Sequence, residues 1–154
     1  VARIQELCVA RGIRLDEARL YHWSPAETST LTTAYNAARK RHPENAWPLL
    51  PWFDLLDRVV KRAPMSVTRA FGYGLKDIAK AMHAMGLVET GWGDGLTDGL
   101  GAMVAAWRID ETVAESGGIL LDDPLMQEVA AYNQVDCQVM AEILEWLRER
   151  EATP

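Results

Sequence analysis

The stretch "EARLYHWSPAE", residues 17–27, decides whether this helix-rich chain is all-α or α/β. Leu20 and His22 fall on one side of an extended segment, Tyr21 and Trp23 on the other. Alternating large residues of this kind predict a short strand over Arg19–Trp23. "SPAE" then reads as a helix start: Ser24 as N-cap, Pro25 in the first turn, and Glu27 three residues after the cap. The helix is expected to run to about Arg41 and to be broken by Pro43.

Outward from this junction the chain is mostly helical. Ile4, Leu7 and Cys8 share a helix face, with Gly12 as a stop. "PENAWPLLPWF", residues 43–53, carries three prolines and two tryptophans and reads as a structured loop. "WFDLLDRVVKR" begins as a short strand and continues as a helix that ends before Pro64. "SVTRAFGYG", residues 66–74, is extended or looped. Leu75, Ile78, Ala79, Met82 and Met85 make an amphipathic helix that Gly86 ends. Another helix passes through Leu100, Met103, Val104 and Trp107. After the loop "SGGILLDDP", a last helix is expected from about Pro124 to Glu149. Most of the six tryptophans are expected in the core, with Trp47 and Trp52 in the proline-rich loop as exceptions. The expected fold class is α/β, helix-rich, with few strands. Two strands or so are marginal for a sheet on its own.

The composition is that of one globular domain over residues 1–154: hydrophobic residues are 49% and charged residues 25%. No apolar run approaches the ~20 residues of a membrane helix, so no membrane partner is expected. Cys8 and Cys137 form neither a disulfide framework nor a CxxC site, which favours a reducing, cytoplasmic setting. Net charge is −6, but Arg58–Val88 holds six cations (Arg58, Lys61, Arg62, Arg69, Lys76, Lys80) and one anion, Asp77. That middle suits a polyanion held beside an acidic centre; a solvated helix face explains it equally well.

Asp136 is the residue that breaks a pattern. Leu125, Val129, Tyr132, Val139, Ile143 and Leu147 form the oily stripe of the last helix, and Asp136 occupies a place on it. A carboxylate there is costly unless it is paired or binds a metal. Tyr132 lies one turn earlier on the same face. Two explanations stay open: a salt bridge to another element, or a stripe that meets a cleft. Glu27 has a competing role in the capping box. His22 suits a hydrogen-bonded core residue better than a ligand. Asp57 is expected to pair with Lys61, four residues on, and Asp54 to be partly buried. The glycine-rich run from Gly91 to Gly101 fits neither GxGxxG nor a GK[ST] phosphate loop, and reads as a connector capped by Thr97 or Asp98.

Three pieces in order, "YHWSPAE", "FGYGLKDIAKAMHAMGL" and "YNQVDCQVMAEILEWLR", resemble the ribonuclease H-like domain of DEDD-superfamily 3′→5′ exonucleases. The similarity is to the branch with a "YNxxD" final helix, where Tyr132 to Asp136 matches the Tyr-x3-Asp motif of the tyrosine variant. The resemblance spans roughly residues 5–148. It implies hydrolysis of DNA or RNA phosphodiesters by four carboxylates holding two divalent cations, Mg²⁺ or Mn²⁺, since hard cations take oxygen ligands. It implies Asp136 and Glu27 as metal ligands, with Tyr132 orienting the attacking water. Lys76, Lys80, Arg69 and Arg62 are then the nucleic-acid-binding cations. The family's first motif, Asp-x-Glu, does not occur in Val1–Asp16. The expected fold is therefore an incomplete ribonuclease H-like one, the C-terminal portion of such a domain. Its sheet would be completed by a further N-terminal segment or a second copy, and residues 1–154 alone would be inactive. The alternative is a non-catalytic nucleic-acid-binding or interaction module with a relict site.

Overall fold

A computed structural model describes residues 1–45, 47–62, 67–93 and 99–151, with Ala26, Glu27 and Glu151 described in backbone only. The chain divides into two compact units, Val1–Ser66 and Val67–Pro154.

The first unit holds helix α1 (Ala2–Ala10), strand β1 (Leu20–His22), helix α2 (Pro25–Arg41) and strand β2 (Trp52–Asp54). The strand and helix predicted from "EARLYHWSPAE" both form. β1 and β2 pair in parallel, with Leu20 opposite Trp52, Tyr21 opposite Phe53 and His22 opposite Asp54. Parallel neighbours need a long crossover, and α2 supplies it. The directly opposed rings of Tyr21 and Phe53 lie 5.2 Å apart. His22 meets the diagonal Trp52 edge-on at 5.7 Å. These cross-strand ring contacts stabilise a sheet too short to rely on its backbone bonds.

After β2 the chain winds as expected, but as a π-helical turn, Leu56–Val60, with Leu55 and Val60 buried. Asp54 is half-buried and accepts the Asp57 amide at 2.8 Å, which starts the turn. In π winding, residue i+5 rather than i+4 stacks over residue i. Asp57 therefore faces Arg62 (Oδ2 to Nη2 3.9 Å) instead of the expected Lys61.

The second unit holds α3 (Leu75–Ala84), α4 (Gly99–Ser116), a short 3₁₀ turn (Leu120–Asp122) and α5 (Pro124–Glu151). Both α3 and α4 pack against α5. On α5 the expected stripe buries Val129, Tyr132, Val139 and Ile143; Asp136 and Leu147 are half-buried, and Leu125 is exposed. On α3, Ile78, Ala79 and Met82 are buried, whereas Met85 is exposed. Gly86 then takes a left-handed φ of 68°. That conformation lets the amides of Gly86 and Leu87 turn back to the carbonyls of His83 and Met82.

α4 reverses the sequence expectation. Leu100, Met103, Val104 and Trp107 face outward, Trp107 with 69% of its surface exposed. The buried residues are Ala102, Ala105 and Ile109. Ala102 and Ala105 join Val129 and Tyr132 of α5 in one cluster, with Trp92 and Met126 packed against it. Small side chains let two helix backbones approach closely, so the alanine face wins the contact and the larger residues are turned out. Among the described residues, no helix is long and apolar enough to cross a membrane.

This inversion is open to measurement. Met103→Lys, on the exposed face, should change unfolding free energy by no more than ~0.5 kcal/mol. Ala105→Lys forces a cation into the α4–α5 contact and should cost more than ~2 kcal/mol. Urea unfolding that ranks the two variants the other way would contradict the orientation of α4.

Candidate functional site on helix α5

The site is built on the middle of α5, where Asp136 interrupts the apolar stripe. Trp92 donates its indole Nε1–H to Asp136 Oδ1 at 2.7 Å. The acid is thereby held by an aromatic donor on the segment between α3 and α4. One turn earlier, Tyr132 is 9% exposed and packs with Ala102 and Ala105 of α4. Its hydroxyl reaches Gly99, where a side-chain Cβ would stand 4.0 Å away. Lys76, on the first turns of α3, lays its ammonium over both rings, 4.5 Å from the Tyr132 centroid and 5.3 Å from that of Trp92. A cation over two aromatic faces is attracted by both quadrupoles. Acid, phenol, indole and ammonium thus share one half-buried place.

A second acid fixes this arrangement. Glu142 accepts the backbone amides of Glu89 (2.8 Å) and Thr90 (3.0 Å) and the Thr90 hydroxyl. Gln138, one turn before it on α5, adds a longer bond at 3.5 Å. The Glu89–Trp92 segment is therefore tied to α5 twice, by Glu142 at Thr90 and by Asp136 at Trp92. Desolvation raises the pKa of Glu142, but the Thr90 side chain, the Thr90 and Glu89 amides and Gln138 outweigh it, and the net shift is downward. The anion is what these donors select.

The other sequence-predicted residues fall elsewhere. Lys80 and Arg69 are in the same unit as Asp136 and are exposed. Arg62 belongs to the first unit and pairs with Asp57. Glu27 sits in the first turn of α2, in the first unit, and its side chain lies outside the described residues, as do Thr97 and Asp98. His22 is the core residue expected: it is buried, and its Nδ1 stands 2.6 Å from the Ser24 carbonyl. A carbonyl only accepts, so Nδ1 carries a proton. Cys8 is buried, Cys137 is exposed, and neither is in a disulfide. Among the described residues, no three His, Cys, Asp or Glu side chains come together as a metal site would require. A cavity of about 640 Å³ in the first unit, lined largely by apolar groups of α2 and the Trp47–Leu50 segment, contains none of these candidates.

Sequence reading missed Trp92, Thr90 and Glu142. Trp92 stands between Gly91 and Gly93, in a run set aside as a connector. A bulky indole among glycines was the available signal. Glu142 has none in its spacing, because its partners are mostly backbone amides more than fifty residues away.

No protein-family model matches the chain, and no curated protein or solved structure is significantly similar to it.

The clamp should show in the pH dependence of stability. A carboxylate whose folded pKa is depressed contributes stability above its unfolded pKa and loses it as pH falls through the folded value. Glu142→Gln should therefore be less stable than wild type at pH 7, by about 1 kcal/mol on the scale of hydrogen bonds to a charged group partly open to water. The difference should shrink as pH falls below the ordinary glutamate range. Urea midpoints of both proteins between neutral and acid pH measure it; a difference that grows on acidification would contradict the clamp.

Proposed function

We propose that this chain contributes the final-motif portion of a metal-dependent 3′→5′ exonuclease domain of ribonuclease H-like fold, hydrolysing nucleic-acid phosphodiesters with Mg²⁺ or Mn²⁺. The observation that carries the reading is the placement of Tyr132 and Asp136 one turn apart on α5, with the acid half-buried and oriented rather than lost in the core. The parallel β1–α2–β2 unit supports the fold reading, because it is the α/β element that the "YHWSPAE" resemblance requires.

Asp136 fits a hard divalent cation in kind, since carboxylate oxygen is the preferred donor. It does not fit in number. A two-cation centre takes several carboxylates, and among the described residues no three His, Cys, Asp or Glu side chains come together. What the chain's own residues do is narrower. Trp92 holds Oδ1 of Asp136, leaving Oδ2 for another partner; the Tyr132 ring is fixed between α4 and the Lys76 ammonium.

A second reading has its own observation. The Trp92–Asp136 bond by itself accounts for an acid on an apolar stripe, as an anchor for the segment before α4. It favours a non-catalytic nucleic-acid-binding or interaction module with a relict site.

Mn²⁺ titration followed by paramagnetic NMR broadening separates the two. The exonuclease reading expects weak binding that broadens the Trp92 indole N–H and the α5 amides around Asp136. Broadening confined to surface acids such as Asp123 and Glu149 would contradict it. Tyr132→Phe, which keeps the ring and its packing, should leave stability nearly unchanged. In a complete enzyme it should lower single-turnover rate by about 10²-fold, the scale of a positioned catalytic group.

A further inference from the structure

Phe71 has its whole surface exposed, 100% by area. It stands at the mouth of a cavity of about 300 Å³ in the second unit, together with Arg69, Asp77, Lys80, Ala81 and Ala84. Phe71 thus offers an aromatic ring to solvent beside a cleft that carries two cations, Arg69 and Lys80. Arg69 adds a second oddity. Its φ is 73°, the left-handed region that non-glycine residues seldom adopt, and it is the described non-glycine residue that does so. Strained backbone of this kind concentrates where a side chain must be aimed.

Asp77, in the first turn of α3, lays its carboxylate against Gly72 and Gly74. A Cβ at Gly72 would stand 2.6 Å from Asp77 Oδ2, and one at Gly74 would stand 3.1 Å away. A side chain at Gly72 would push the Asp77 carboxylate aside. The one acid in the cleft is thus turned to the helix N-terminus and the glycine backbone, where its charge is favoured. Arg69 and Lys80 are left as the cations at the rim. Lys80 follows Lys76 by one turn, about 6 Å along α3. Lys76 is the ammonium that covers Tyr132 and Trp92 beside Asp136. One helix face therefore leads from the α5 site to the Phe71 cleft.

We infer that Phe71, Arg69 and Lys80 form a stacking platform for single-stranded nucleic acid: a base lies on the Phe71 ring while the two cations hold the flanking phosphates, and Lys76 continues the path to Asp136. Charge complementarity and an unpaired π face together select an unstacked strand, because a duplex keeps its base faces covered. The platform rests on the nucleic-acid reading of the α5 site and names its substrate class.

The test is fluorescence anisotropy of the 154-residue chain with a labelled oligothymidylate of about a dozen nucleotides, in EDTA so that no hydrolysis enters. The same length of abasic strand and a duplex serve as comparison probes. Wild type should bind oligothymidylate more tightly than either. Phe71→Ala should weaken oligothymidylate binding about tenfold, the scale of one lost base–aromatic stack, and leave abasic binding unchanged. Phe71→Tyr, which keeps the π face, should stay within about twofold of wild type. Lys80→Ala should lower the slope of log affinity against log salt by about 0.7, one single-strand phosphate. No binding of oligothymidylate by wild type overturns the platform. So does an affinity indifferent to Phe71→Ala, or an equal loss on the abasic strand. Oligothymidylate bound through Phe71 by a chain that takes no Mn²⁺ at Asp136 would keep the platform and sink the exonuclease reading. Mn²⁺ at Asp136 with binding indifferent to Phe71 would do the reverse.

Discussion

The hydrogen bond from Trp92 to Asp136 is the interaction on which the second unit depends. α5 has a nearly continuous apolar stripe, and a carboxylate on it must find a donor when it leaves water. The donor comes from the Glu89–Trp92 segment that follows α3. Glu142 secures the same segment two turns further along α5, through backbone amides whose own hydrogen-bonding needs it meets. Two acids on one helix thus hold the Glu89–Trp92 segment. The indole then lies beside Tyr132 and under Lys76.

The same geometry explains why α4 lies as it does. With Trp92 and Met126 packed against the Ala102–Ala105–Val129–Tyr132 cluster, the space beside α5 suits a helix with a flat, small-residue face. Leu100, Met103 and Trp107 are turned to solvent. The closeness of the α4–α5 approach, rather than the hydrophobicity of α4, sets its rotation. Tyr132 gains its burial from that approach.

Some of this was legible in the residues and some was not, for identifiable reasons. The strand at Leu20–His22 and the helix from Pro25 were readable because alternation and capping are local signals. α3 and α5 were readable because large apolar residues at helical spacing did face the core. α4 was misread because the stripe of large residues was weighed and the alanines were not. The Asp57 partner was misread because π winding after β2 leaves no trace in spacing. At the site, Tyr132 and Asp136 stood out by breaking or sharing a periodic face. Trp92 and Glu142 did not, because their contacts join segments 44 and more than fifty residues apart. Asp136 was weighed as a salt bridge or a metal ligand; an indole partner was not considered.

Asp136 is an acid oriented by the Trp92 indole and not half of a core ion pair. Equilibrium unfolding of Asp136→Asn, with and without Mn²⁺, tests this most directly. Asparagine keeps an oxygen to accept the Trp92 indole and removes the charge. The account expects the cation-free variant to match wild type within about 1 kcal/mol, the size of one hydrogen-bond difference. It expects Mn²⁺ to stabilise wild type alone, since only a ligand that binds the folded state shifts the equilibrium. A cation-free variant destabilised by ~3–5 kcal/mol, the cost of breaking a buried ion pair, with wild type indifferent to Mn²⁺, would contradict it.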